Sequence, residues 1–476
     1  MRVRLGVLCC VLLLAAALGP GPALGQSRPL DYRLTAAAQG APAGTPFWQY
    51  AHTRGRYRPG STLNGVMGAA LRLPFRGSDG LDWSVGAEAV GRLSDATNTG
   101  HLLQLYGRLQ YRGLRLSVGR FSDRMGLNPP TLSLGSMTVS RNAPPVPRVM
   151  VSAPSFLDVP GTGGHLQVRG RWSDGRLGTN RAVDAPYLHQ KAFYLKGVAG
   201  PVSVVAGVEH NAIWGGEGQS HTLTDYLRLV GGSQAGTESD ANRVGNSVAA
   251  YDLALRYAPG DWQIQGYRQF YLEDTVSMRL RSPWDGLWGL SLRQTDGRSG
   301  LDRVVYEFVN TIQQDALAGA PPGRASYYNH FIYQSGWTYE DAVLGSPLMV
   351  FAPGRNEVVN NMVVAHHLGL GGAPTARFDY AVRLTYSRNY GVCEDQIITG
   401  TCDVLSYEPA PPNQEVRARE TLREDQYAVG LEISYLLSPD YGLHFVGATT
   451  ADVGELYDDR WGLRLGLLWT GSVPAL

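Results

Sequence analysis

The sequence is short of lysine, of cysteine and of any long apolar stretch beyond its first residues. Lys191 and Lys196 are its two lysines, so arginine supplies nearly all the positive charge of a chain with 42 basic and 41 acidic side chains. That balance leaves no basic face of the kind nucleic-acid binders need, and no nucleic-acid partner is expected. No apolar run after residue 25 nears the roughly 20 residues of a spanning helix, so a helical membrane protein is excluded. No G-x-S-x-G, H-E-x-x-H or P-loop occurs; no catalytic residue, cofactor or metal is expected, although a Ser-His-Asp site needs only three dispersed side chains.

What is present begins with an export signal. Arg2 and Arg4, the apolar residues 5–18 and the small-x-small triplet Ala23-Leu24-Gly25 have the layout of a secretory signal peptide, residues 1–25, with Gln26 as the first mature residue. No small-residue box precedes Cys9 and Cys10, which argues against a lipoprotein and sends both cysteines away with the leader. Losing Arg2 and Arg4 takes the net charge from +1 to about −1. Two cysteines remain, Cys393 and Cys402, in the string GVCEDQIITGTCDV. In an exported chain such a pair reads as a disulfide closing a loop tip; the metal alternative lacks a nearby His or third Cys.

The dominant periodicity is two. In 102–112, Leu103, Leu105, Leu109 and Tyr111 share one face, while Gln104, Arg108, Gln110 and Arg112 share the other. Segments 165–173, 377–387, 427–437 and 461–469 alternate as strictly. Further segments, among them 65–75, 81–92, 114–122, 202–215, 247–257, 262–272 and 442–451, fit less cleanly. Alternation marks strands with one apolar and one polar face. About ten residues suit a tilted membrane strand, whereas sandwich strands average about five or six. Aromatic residues recur at strand ends, as interface girdles require. A closed sheet is the one way such a chain crosses a bilayer without helices. The fold class is therefore all-β, a transmembrane antiparallel barrel with a lipid-facing outside and a polar lumen. Arg108, Arg169, Arg171, Arg256, Arg383 and Arg464 are expected to face that lumen and pair with Asp252, Asp379 and Glu432.

Three segments do not alternate. Residues 26–60 read as an irregular or helical capping segment ahead of a barrel spanning 61–470. Residues 123–164 carry too many prolines for a central strand and read as an ordered, packed loop. Residues 215–246 hold a potential short helix at 222–230. The last strand is expected to stop at Trp469, leaving 471–476 as a tail.

These irregular pieces carry a resemblance. GTPFWQYAHTRGRYRPGSTLNG at 44–65, SVGRFSDRMG at 117–126, LGSMTVSRNAPPVPRVMV at 134–151 and FLDVPGTGGHLQVRGRW at 156–172 resemble the capsule assembly Wzi family. YLHQKAFYLK at 187–196, GVEHNAIWGG at 207–216, NRVGNSVAAYDLALRY at 242–257, YRQFYLED at 267–274 and DGLWGLSL at 285–292 continue in the same order. The resemblance implies a monomeric outer-membrane barrel of about 18 strands with irregular segments blocking the lumen. It also implies a lectin-like anchor for capsular or other exopolysaccharide. The implied partners are capsular or extracellular polysaccharide, outer-membrane lipid and a polysaccharide export channel. A porin or substrate channel and an outer-membrane hydrolase are the competing functions.

The resemblance transfers no binding residue to a numbered position, so candidates rest on chemistry. Sugar rings stack on flat aromatic faces, and planar guanidinium groups bind hydroxyls and uronates. Trp214, Tyr226, Arg228, Arg243, Trp284, Tyr327, Tyr328, Trp337 and Tyr339 lie in or beside loops and are the polysaccharide-binding candidates; packing or girdle roles compete for each. His366 and His367 are neighbours whose side chains should point to opposite faces of a strand, a poor metal pair. From the exported context, non-reducing peptide mapping of the purified protein is expected to recover Cys393 and Cys402 in one linked peptide. Two free thiols would refute the pairing.

Overall fold

The computed structural model describes residues 28–77, 80–95, 98–231, 245–273, 283–295, 300–312, 327–330, 332–392 and 423–474. Alternating segments become strands wherever the sequence alternates. In chain order these are β1 (Pro29–Gly40), β2 (Leu63–Leu73), β3 (Asp82–Ser94), β4 (Thr99–Tyr111), β5 (Leu114–Arg120), β6 (Pro147–Ser152), β7 (Leu157–Asp158), β8 (Leu166–Arg176), β9 (Tyr187–Ala199) and β10 (Val202–Trp214). There follow β11 (Gly245–Tyr257), β12 (Trp262–Leu272), β13 (Gly286–Gln294), β14 (Arg303–Asn310), then short β15 (Thr338–Tyr339), β16 (Ala342–Val343), β17 (Val350–Ala352) and β18 (Glu357–Asn360). Last come β19 (Val363–Thr375), β20 (Phe378–Asn389), β21 (Glu424–Ser438), β22 (Leu443–Gly454) and β23 (Arg460–Pro474).

Consecutive wall strands pair antiparallel, β14 pairs with β19, and β1 closes the circle against β23 from Pro29↔Pro474 to Gly40↔Leu463. Because β6 and β7 both pair with β8 and share one place in the wall, the result is an 18-strand barrel. β15–β16 and β17–β18 are separate small hairpins.

The two ends differ. At one, strands join by tight turns, as at Arg112-Gly113, where φ is +45° and +81°. Positive φ at both central residues is the type I′ geometry that matches strand twist. At the other end lie the long connections 41–62, 121–146, 215–244, 311–362 and 390–423. Short periplasmic turns and long external loops are the rule for such barrels, which orients this one. The wall's outer face exposes Leu105, Leu109, Val149, Val151, Leu253, Leu255, Leu463, Leu465 and Leu467. Trp83, Tyr111, Tyr257, Trp262 and Tyr435 ring the short-turn end, and Trp172, Trp284, Tyr427 and Trp461 the other. Strand-end aromatics thus form the two girdles expected of a lipid-facing surface.

Three boundaries differ from the sequence reading. Residues 29–40, expected within an irregular cap, form wall strand β1. Its faces, Leu34-Ala36-Ala38 outward and Thr35-Ala37-Gln39 inward, are so small that alternation carries little contrast. Residues 147–152, inside the proline-rich segment, also join the wall as β6, with Val149 and Val151 exposed to the lipid side. Pro147 is its first residue, where a missing N–H is tolerated. β23 runs past Trp469 to Pro474, because β1 extends equally far and supplies its partners. The helix expected near 222–230 is present as α2 (Leu223–Gly231), α1 being the single turn Phe47–Tyr50.

Leu465 lies midway along β23 on the lipid side. Leu465→Arg is expected to destabilise the barrel by about 2–4 kcal/mol, the range for a midplane cation. Urea titration of the protein folded into vesicles checks this; an unchanged midpoint would place this face away from lipid.

Candidate functional site

The lumen is filled by inserts from the outer end, and the wall holds them through their backbones. In the first insert, 41–62, the N–H of Phe47 donates to Asp452 Oδ2 at 2.8 Å and Trp48 Nε1 donates to Thr385 Oγ1 at 3.2 Å. In the second, 121–146, Gly126 N–H donates to Glu209 at 2.5 Å, Leu134 N–H to Glu307 at 2.6 Å and Met137 N–H to Gln269 at 2.7 Å. The Ser133 hydroxyl adds a 2.6 Å bond to Glu307, and the Thr138 hydroxyl one to Glu209. Carbonyls are met as well: Gln265 donates to Leu127 O and His367 Nε2 to Leu132 O, each at 2.6 Å. Hydrogen bonds to charged groups contribute about 1.5–3 kcal/mol each, so this insert is tied down at successive points around the wall.

The described part of 311–362 forms a third layer over the second. Trp337 Nε1 donates to Thr138 O at 2.6 Å, Tyr327 to Asp285 at 2.7 Å, and Tyr328 to Met137 O. Phe47, Trp48, Leu134, Met137, Tyr328 and Trp337 then pack with wall residues Leu188, Ile213, Val309 and Val363 into one core inside the barrel. Gly369 shows how close the approach is: a side-chain carbon there would stand 2.6 Å from Leu132 O. His52 lies in this packing, and burial, reinforced by the charges of Arg383 and Arg141, lowers its pKa to about 3, leaving it neutral.

The expected lumen charges divide into two sets. Glu432 sits between Arg383 at 2.7 Å and Arg464 at 2.8 Å, and Asp379 meets Arg303 at 2.6 Å. Arg171 pairs with Asp123. Asp252 accepts the Tyr194 hydroxyl at 3.0 Å rather than an arginine. Arg108, Arg169 and Arg256 reach no carboxylate among the described residues; Arg256 bonds Gln265 at 2.6 Å, and Arg108 and Arg169 lie over aromatic rings. His366 and His367 do point to opposite faces: His366 contacts Tyr306 outside, His367 the insert inside.

The candidate polysaccharide residues do not converge on one surface. Tyr327, Tyr328, Trp337 and Tyr339 are buried in the third layer, where their polar atoms serve packing. Trp214 and Tyr226 face the outside of the wall, because α2 folds back over the rim and seats Leu229 against Ala212 and Trp214. There Tyr226 donates to Asp174 at 3.1 Å, beside the His189–Asp174 contact at 2.9 Å. Arg228 is exposed on α2. Trp284 is exposed at the outer girdle and stacks on Trp288 at 6.0 Å. Arg243 lies outside the described residues, as do Cys393 and Cys402.

The outer mouth is instead closed by connection 177–186 and the hairpins of the third layer. Asn180, Glu340, Asp341 and Asn356 adopt positive φ there. Glu340 and Asp341 pair with Arg120 and Arg58, the latter at 2.5 Å. Isolated charges in loops carry no periodic signal, so this cap was not legible beforehand.

Glu307 accepts from the Ser133 hydroxyl, the Leu134 N–H and the Tyr267 hydroxyl, each at 2.6 Å, and is fully buried. Glu307→Ala strands these donors, each costing about 1–3 kcal/mol if left unpaired. The variant is expected to loosen the second insert and raise single-channel conductance in planar bilayers above that of the parent protein. Equal, closed traces would show that the insert holds without this anchor.

The capsule assembly protein Wzi family profile matches residues 49–349. Among solved structures, Wzi of Escherichia coli, an outer-membrane protein involved in group 1 capsule assembly and described as a carbohydrate-binding β-barrel, superposes with a TM-score of 0.61 at 15% identity, covering 93% of this chain and 84% of that one. OccK5 (OpdH) of Pseudomonas aeruginosa gives a TM-score of 0.49 at 9% identity, covering 94% of this chain and 98% of its own. Among curated proteins, none matches the sequence. With well over half of the chain matched in one continuous span, this protein belongs to the capsule assembly protein Wzi family.

Proposed function

We propose that the protein binds capsular or extracellular polysaccharide and holds it at the cell surface, as a lectin-like anchor rather than a conduit. The observation that carries this reading is the filled lumen. Inserts bonded to wall carboxylates and packed into a core are a poor pathway for a solute, and a cap of polar tips at the outer mouth suits a binding surface. Family membership and the carbohydrate-binding description of the E. coli relative support the same choice.

On this reading the chain is exported through a cleaved leader, residues 1–25, into the outer membrane of a Gram-negative-type bacterium. It works as a single barrel, with outer-membrane lipid around it and a polysaccharide export channel as its neighbour. Its chemistry is binding, not turnover. Half-buried Arg58 and exposed Glu340, Asp341 and Arg355 at the cap offer planar donors and carboxylate acceptors for sugar hydroxyls.

Deleting the gene in the source organism separates the functions. Cell-attached polymer is expected to fall while released polymer rises, since synthesis and export continue without the anchor. If neither fraction changes, the anchor reading fails and the channel alternative takes its place.

A further inference from the structure

Below the inserts, toward the end with the short turns, the wall and the second insert enclose a cavity of about 250 Å³. Its chemistry is one-sided. Five arginines line it, Arg108 and Arg115 from β4 and β5, Arg169 and Arg171 from β8, and Arg124 from the insert, against the single carboxylate Asp123. That carboxylate is already shared by Arg171 and by Arg148 at 3.3 Å. Arg108, Arg115, Arg124 and Arg169 have no carboxylate partner among the described residues. Their observed contacts are neutral: Arg115 on Gln110 at 2.7 Å, Arg124 on Asn128 O at 2.8 Å, Arg108 over Tyr106 at 4.2 Å and Arg169 over Tyr194 at 4.4 Å.

A second observation concerns unused hydrogen-bonding groups. Ser117 lines the same cavity and is fully buried, yet its hydroxyl has no partner; the Nε atoms of Arg108 and Arg171 are likewise buried and unpaired. Buried polar groups are normally satisfied, and partly enclosed guanidinium groups are normally offset by negative charge. Other lumen arginines meet that rule at shared carboxylates, as at Glu88, which gathers Arg33, Arg54 and Arg56, and at Glu432. In this cavity five arginines converge on one carboxylate, and the excess of donors has the planar geometry that grips a carboxylate through paired N–H groups. Tyr194 and Phe121 also line the cavity, where their rings lie under Arg169 and Arg108 and hold these guanidinium groups in place.

We infer that this cavity is a second binding site, on the periplasmic side of the plug, for a carboxylate-bearing sugar unit of an acidic glycan. The carboxylate sits among Arg108, Arg124 and Arg169, and ring hydroxyls take up Ser117 and the free guanidinium N–H groups. The size admits about one sugar, below the 300–1,000 Å³ usual for ligand pockets, so the site holds a chain end or a single bent-in unit. The inference rests on the reading of the protein as a glycan binder, but places the grip at the opposite end from the outer cap.

The test uses the purified full-length protein in detergent, titrated calorimetrically with trigalacturonate, with its methyl ester and with sodium sulfate. Trigalacturonate is expected to bind, more weakly as salt rises, and the ester at least about tenfold more weakly, since it keeps the rings and loses the charge. Arg108→Gln with Arg169→Gln is expected to weaken trigalacturonate about tenfold or more without lowering the melting temperature, because the removed charges are unpaired. Should that variant not fold, Arg115→Gln is the second variant, with the same direction expected. Equal binding of acid and ester, or equal affinity in parent and variant, overturns the site. Sulfate binding as tightly as the trisaccharide overturns it too, as an adventitious ion only. These outcomes leave the anchor reading standing if gene deletion still releases polymer from cells, so the two failures are distinguishable.

Discussion

Everything inside this barrel depends on carboxylates and amides of the wall accepting the backbone N–H groups of chain that is largely irregular. Eighteen strands enclose a lumen too wide for wall side chains alone to fill. Filling it with a loop carries a penalty, since irregular backbone away from water must still pair its donors and acceptors. Glu209, Glu307, Gln269 and Asp452, all inward-facing on wall strands, solve this for Gly126, Leu134, Met137 and Phe47. Once the first and second inserts are fixed, the third has a surface to pack on, and Trp337 and Tyr328 bond directly to the second insert's carbonyls. The apolar core of the protein is therefore in the lumen, while the apolar exterior faces lipid.

This arrangement gives the molecule two unlike ends. Outward, hairpin tips and paired charges close the mouth, and α2 lies across the outer rim with Leu223 and Leu227 exposed. Inward, arginines outnumber carboxylates beneath the plug. A transport barrel needs continuity between its ends; an anchor needs a closed middle and a surface that holds a polymer. The anchored inserts close the middle of this one.

Much of the fold was legible because a lipid-facing strand repeats its chemistry every two residues. Segments such as 427–437 and 461–469 announce themselves through Leu, Val, Tyr and Trp on one face. β1 and β6 were not legible for opposite reasons: in β1 alanine stands on both faces, and β6 is only six residues long and flanked by prolines. The inward arginines were correctly placed, since parity within a strand assigns the face; of their partners, Glu432 does hold Arg383 and Arg464, but the others differ, because pairing depends on which strand or insert lies alongside. Arg171 finds Asp123 of the insert, and Asp252 finds Tyr194.

The candidate glycan residues show the same boundary. Local sequence identifies Trp337 and Tyr328 as aromatic residues in a loop, but a loop that folds into a lumen buries its aromatics, whereas one that folds over a rim turns Trp214 and Tyr226 toward the outer wall. By itself the sequence determined the all-β class, the membrane-spanning strand length, the inward or outward face of most wall residues and, through its ordered motifs, the family. These are properties of short segments, set by alternation and composition. Only the tertiary structure decided that the inserts enter the barrel, which carboxylate receives which backbone N–H, and which arginines are left without a counter-charge. Those outcomes join residues tens to hundreds of positions apart, and closing the sheet is what brings them within hydrogen-bonding distance.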